Sequence, residues 1–233
     1  MKSAAPGSAP PAVEGQPSGL AARSEFPGAE VSTQALAVFW EWLTANGVSL
    51  EAVFAELEAL GWERGRLLRR GAWVPHQALL DVEGCVAKRF PERDDLFHSI
   101  GMSVGPNEGL GFLRTVSRTL FSPHLLYHRM PGMMRRFLFR FMTLELHSAS
   151  REHIVGEYRF DPACPPSDAF LETARGVLTS MPVMLGAPPA RVNLVRTGTL
   201  TARADIYISA WGGPVQAATA ALSGLWLRAQ LRL

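Results

Sequence analysis

What this sequence has little of bounds it first. Lysine is almost absent: Lys2 and Lys88 are the only two, and the remaining positive charge is arginine. With a formal net charge of +2 over 233 residues, the chain as a whole is not a polyanion binder. Cysteine is nearly absent too. Cys85 and Cys164 lie far apart and share no C-x-x-C or Cys/His spacing, so no disulfide scaffold or thiolate metal site is expected, and a reducing compartment fits. No stretch reaches the roughly 20 apolar residues of a membrane span, and no apolar segment follows the basic start as a secretory signal requires. A cytoplasmic protein without a membrane span is the expectation. Two catalytic signatures are missing as well: H-E-x-x-H and G-x-x-x-x-G-K do not occur. No DNA-reading motif accompanies the arginines, so nucleic acid is not expected as a partner.

What is present is 47% hydrophobic residues, enough to bury a core without a metal or disulfide staple. Residues 1–29 are rich in Pro, Gly, Ser and Ala with no periodic apolar face, and read as a disordered leader. A helical region over residues 30–140 follows. Ser32 or Thr33 caps a first helix carrying Leu36, Phe39, Trp40 and Leu43, stopped by Asn46-Gly47. Ser49 caps a second, ended by Gly61. Leu67 to Pro75 reads as a connector, and Pro75 opens a third helix with His76, Leu79, Leu80, Val82, Val86 and Phe90. Gly105 to Gly109 breaks the chain as an interhelical turn. Ser122-Pro123 starts a further helix, in which Pro131-Gly132 predicts a kink or a helix-to-helix step.

From Phe141 to Ser209 the period changes. Phe141–Leu146 and Ile154–Phe160 form one hairpin, and Arg191–Arg196 and Leu200–Ile208 a second around Thr197-Gly198-Thr199. Between them a helix runs from Ser167 to about Leu185, its last turn bent at Met181-Pro182. Val192, Leu194, Ile206 and Ile208 point inward, as a sheet with one buried face requires. The fold class is α+β: a helical layer packed on an antiparallel sheet from a ββαββ unit over residues 141–209. A C-terminal helix over residues 212–233 follows, apolar at spacings that serve either a dimer seam or packing on its own domain.

Four groups are candidates for chemistry. His124 and His128, four apart, share a helix face at a spacing zinc sites use, but the next position is Leu125 and no carboxylate lies nearby, so no metal is expected. Cys85 falls on the apolar side of its helix and reads as an inert thiol. Between Glu108 and Glu145 there is no acid, while Arg114, Arg118, Arg129, Arg135, Arg136 and Arg140 form a cationic run suited to an anionic ligand or an acidic partner, or to a solvated face. A Met and aromatic stripe includes Tyr127, Met130, Met133, Met134, Phe137, Phe139 and Phe141, which serves as core or as the wall of a pocket for an apolar small molecule. The ligand-binding candidates are His124, Tyr127, His128, Arg136 and Arg140, and no catalytic residue is assigned. A site, if present, is expected where these helices meet the sheet.

Several stretches resemble an N-terminal input domain of sensor histidine kinases and related regulators, of the myxobacterial type. They are Trp73-Val74-Pro75-His76, the run Leu120-Phe121-Ser122-Pro123-His124-Leu125-Leu126-Tyr127, and the helix from Ser167-Asp168-Ala169-Phe170 through Met181-Pro182 to Leu185-Gly186. The layout is also distantly similar to haem-nitric-oxide and vinyl-reductase-type sensor domains. It lacks the Tyr-x-Ser-x-Arg trio expected for haem propionates, with Tyr127-His128-Arg129 at the nearest place. The resemblance implies a non-catalytic signal-transduction input domain for a small apolar or anionic ligand or a protein partner. No cofactor is expected, with haem as the exception to test. The alternatives are an interaction module using the arginine-rich face and a haem- or small-molecule-dependent enzyme, which needs polar groups converging in a pocket. A second copy or a downstream signalling protein is the expected partner, since the chain carries no kinase domain and is either a whole product or a fragment of a longer regulator.

Overall fold

The computed structural model describes residues 30–104 and 123–209. The expected leader, the glycine-rich turn after Val104, Phe121, Arg114, Arg118 and the C-terminal helix lie outside the described residues. Within them, helices and antiparallel strands form the α+β arrangement read from the sequence.

The helical layer starts where local chemistry says it should. The Ser32 hydroxyl accepts from the Gln34 N–H at 3.2 Å and opens α1 (Thr33–Ala45), which ends at Asn46 with Gly47 at φ 75°. Helix α2 (Leu50–Ala59) follows, and Gly61 takes φ 92° beyond it. The expected connector is instead structured. Helix α3 (Arg64–Leu68) occupies its first part, and β2 (Trp73–Pro75) pairs antiparallel with β1 (Glu30–Ser32). Three-residue strands are too short to show an alternation, and their pairing joins positions some forty residues apart. The same segment is tied to the rest of the layer by Ser32, whose N–H donates to the Leu138 carbonyl at 2.8 Å.

Helix α4 (His76–Ala87) and α5 (Leu96–Met102) complete the first part, and α6 (Pro123–Phe137) resumes after the undescribed segment. The step expected at Pro131-Gly132 does not occur; α6 runs through both residues. A proline removes one N–H but leaves the flanking turns intact, and here α6 is packed against the sheet.

The sheet has order β3-β4-β6-β5, all neighbours antiparallel: β3 (Met142–Ala149), β4 (His153–Phe160), β5 (Arg191–Gly198) and β6 (Thr201–Tyr207). Ile154, Gly156, Tyr158 and Phe160 alternate on the inner face of β4, opposite Ile206, Ala204 and Ala202 of β6. The outer face carries charges in cross-strand and same-strand pairs, Arg159 with Glu145 and Glu157, and Arg203 with Asp205. Helix α7 (Asp168–Ser180) joins the two hairpins, capped by Ser167, whose hydroxyl accepts from the Phe170 N–H at 2.8 Å. The bend expected at Met181-Pro182 is a 3-10 turn (Met181–Leu185) closed by Gly186 at φ 75°.

Helix α5 meets α7 backbone to backbone. A Cβ added at Gly101 would lie 2.1 Å from the Thr173 carbonyl oxygen, and one at Gly176 would lie 2.2 Å from that of His98. Only glycine permits this approach. The close crossing fixes α7 over the sheet with one face pressed on α5 and another turned toward α1, α4 and α6.

Candidate functional site

Where that second face of α7 meets α1, α4, α6 and strand β4 there is a cavity of about 90 Å³. By volume this admits roughly six to nine water-sized groups. Its wall is apolar: Met130, Met133 and Met134 come from α6, Phe39 from α1, Phe139 from the segment after α6, and Phe170 from α7. The three methionines recur because positions 130, 133 and 134 share one face of α6, and their unbranched thioethers adapt to the shape of what they contact.

Three polar residues are among those lining the cavity, and each has a buried atom with no hydrogen-bond partner among the described residues: Glu83 Oε1, the Tyr158 hydroxyl and Thr173 Oγ1. Glu83 is 4% exposed and follows His76 and Leu79 on the inner face of α4. Its second oxygen accepts from the Ser167 hydroxyl at 2.6 Å. Burial pushes its carboxyl up to about 8, although the Ser167 bond works against that, so it is mostly protonated at neutral pH. Tyr158, 1% exposed on the inner face of β4, is held neutral because burial raises its phenol far above the ordinary range. His76, near Glu83 on α4, is driven down to about 4 by burial and packs on Phe141 at 4.5 Å between ring centres, with Nε2 unpartnered.

Tyr127, His124, His128, Arg136 and Arg140 fall elsewhere; none of the five borders the cavity. Tyr127 is fully buried, and its hydroxyl donates to the Leu178 carbonyl at 2.5 Å. That bond has a local cause. In a continuing helix the Leu178 carbonyl would accept from the N–H four residues on, but residue 182 is proline and has none. His124 and His128 stack edge to face at 5.2 Å, and no metal-ligand cluster of three or more forms among the described residues. Arg136 and Arg140 are exposed, with guanidiniums over Phe137 at 5.3 Å and over Trp73 at 3.9 Å. Of the Met and aromatic stripe, Met130, Met133, Met134 and Phe139 line the cavity, while Phe141 is core and Phe137 is 40% exposed. Cys85 is buried, and desolvation raises its thiol to about 11, consistent with an inert group.

No protein-family model matches the sequence, and no curated protein does. Solved structures do match. A point mutant of the Fe(II) unliganded H-NOX protein from K. algicida is 12% identical, with 77% of this chain and 97% of that chain covered and a TM-score of 0.55. The parent K. algicida protein gives 9% identity, the same coverage and a TM-score of 0.53. A double mutant of Tt H-NOX gives 9%, 77% of this chain, 95% of that one and a TM-score of 0.54. At such identities the likeness is one of architecture: the chain shares the fold of H-NOX proteins.

Proposed function

We propose that this chain is a non-catalytic sensory input domain whose cavity takes a small, mainly apolar ligand other than haem. The observation that carries this reading is the methionine- and phenylalanine-walled cavity between the helical layer and the sheet. Helix α6 connects that cavity to a surface. Its inner side supplies Met130, Met133 and Met134, and its outer side presents His128, Arg129, Arg135 and Arg136 to solvent. A second copy or a downstream protein that docks on this outer side, with His124 and Arg140 beside it, would register a shift of the helix. The likeness in architecture to H-NOX proteins and the resemblance to kinase input domains support a sensory role.

The residues at the cavity do not fit haem. Haem iron is held by histidine, cysteine, methionine or tyrosine. Methionine holds haem iron together with a histidine, and no histidine or cysteine lines the cavity among the described residues beside its methionines; residues 105–122 and 210–233 contain none of the four types. Tyr158 is kept as the neutral phenol, a poor ligand. No arginine or lysine lines the cavity among the described residues to meet two propionates, and the neutral Glu83 carboxyl offers no positive charge in their place. A volume of about 90 Å³ is also small for a porphyrin.

Native mass spectrometry of the freshly purified full chain, with an absorbance scan, tests this. The expected result is a retained small mass, or uptake of an added apolar probe such as methylcyclohexane, lost on Ala174→Leu. A Soret band overturns the exclusion of haem, and absence of both a retained mass and probe uptake overturns the ligand reading.

A further inference from the structure

Two arginine clusters far apart in the sequence meet across the short β1-β2 ladder. We infer that they form one docking surface, beside Trp73, for an acidic segment of a partner protein. This names the partner chemistry of the docking role proposed above and rests on that role, not on the cavity.

Residues 64–80 contain four arginines and no acid, and residues 123–140 contain four more and no acid. Strand β1 lies between the two stretches. On one side Ser32 pairs opposite Trp73, and Thr33 Oγ1 donates to the Arg69 carbonyl at 2.7 Å. On the other side Val31 bridges to Phe139, and the Ser32 N–H donates to the Leu138 carbonyl at 2.8 Å. Two strand spacings, about 10 Å, therefore separate the two backbones. Side chains close that gap. The Arg140 guanidinium lies over the Trp73 ring at 3.9 Å, and Arg66 donates to the Trp73 carbonyl at 3.3 Å.

Most of this charge is not balanced nearby. Arg66, Arg69, Arg70, Arg135 and Arg136 are exposed, and none forms an ion pair with an acid among the described residues. Arg64, Arg93, Arg159 and Arg203, on other surfaces, are each paired. Glu30 is the one acid in β1 and β2. Gathered cations of this kind favour an incoming anion. Each cluster also carries an exposed apolar side chain, Leu68 at 45% and Phe137 at 40%. Arginine beside aromatic rings is the composition enriched at the centre of protein interfaces. Three guanidiniums are already laid against the fold, Arg66 on a carbonyl, Arg136 over Phe137 and Arg140 over Trp73. Such groups lose less freedom on pairing and impose their fork geometry on a carboxylate. A membrane surface calls instead for an outward apolar helix face, whereas the methionine side of α6 is turned to the cavity.

Fluorescence anisotropy of the full chain with a labelled peptide of glutamate, leucine and alanine tests this. Wild type is expected to bind at low salt, and added salt to weaken the binding. Arg69→Gln with Arg70→Gln, and separately Arg135→Gln with Arg136→Gln, are each expected to weaken it about fivefold, the worth of two exposed ion pairs. Arg151→Gln with Arg191→Gln removes equal charge from the sheet region and is expected to change it by less than about twofold. Loss confined to one of the two cluster variants overturns the joining of the clusters. Equal loss from the sheet-region variant reduces the effect to net charge and overturns the surface. Binding to phosphatidylserine-containing vesicles but not to the peptide gives the surface to a membrane and overturns the protein assignment. A dimer of the chain that both cluster variants dissociate gives it to a second copy; the docking role then stands and the acidic partner falls. Binding of no probe and no dimer overturns both this inference and the docking role, and leaves the cavity to its own probe-uptake test.

Discussion

Helix α7 presents two faces that obey opposite packing rules. At Gly176 it touches α5 so closely that no side chain fits. At Thr173, Ala174 and Val177 it borders unfilled space lined by methionine. One helix is thus clamped on one side and loosely packed on the other, within three residues of sequence. The difference teaches where rigidity is placed: the glycine crossing fixes the scaffold, and the methionine side is left able to repack.

Substitutions on the two faces should separate them. The largest effect is expected from Gly176→Ala, where the new methyl would meet backbone at 2.2 Å; the helices must part, at about 3 kcal/mol or more in urea unfolding. A loss under about 1 kcal/mol would show the crossing to be adjustable. Tyr127→Phe is next, at about 2 kcal/mol, since it leaves the Leu178 carbonyl buried beside a proline that cannot serve it. Restoring the backbone donor with Pro182→Ala in the same chain should shrink that loss.

The cavity side has a pH signature. Glu83 titrates at about 8 folded against an ordinary 4.5, so between those values the folded chain holds a proton that the unfolded chain has released. Stability therefore falls as pH rises, by about 1.4 kcal/mol per unit. His76, at about 4 folded against 6.5, has the opposite sign: from pH 4 to 6.5 the unfolded chain holds the extra proton, and stability rises with pH. The two offset each other up to pH 6.5, leaving a fall of about 2 kcal/mol between 6.5 and 8. Glu83→Gln should flatten that interval, and an undiminished fall in the variant would assign it to another group. The smallest effect is expected from Ala174→Leu. Two residues from Gly176, it grows into open space and should change stability by no more than about 1 kcal/mol. A loss comparable with that of Gly176→Ala would erase the contrast between the faces.

How far these features were legible depended on whether a local signal existed. Ser32, Asn46-Gly47 and Ser167 act within their own helices and were readable as caps and stops. The hairpins were readable because their inner residues alternate over seven or eight positions. The strands β1 and β2 were not, because three residues carry no period and their partners are distant. The methionine wall is visible as a stripe, whereas Glu83 is not among the candidates that the sequence yields. A carboxylate reads as solvent-facing unless its spacing from His76 and Leu79 is weighed, and that spacing was the available signal. Tyr158 reads as ordinary strand packing, and only the fold reveals that its hydroxyl is buried without a partner. Tyr127 was singled out as a binding candidate, while its bond to the Leu178 carbonyl follows from a proline far along the chain.

The Ser167 hydroxyl spends both of its roles at once, accepting from the first turn of α7 and donating to Glu83 at the cavity. The same turn is gripped from outside by Arg196 of the edge strand, which donates to the Pro166 carbonyl at 2.9 Å and to Asp168 at 2.8 Å. The beginning of α7 is therefore a junction of three elements meeting within three residues. Drawing Glu83 away from Ser167 would unlatch the helix start, and β5, at the rim of the sheet, would be the first strand to feel the release.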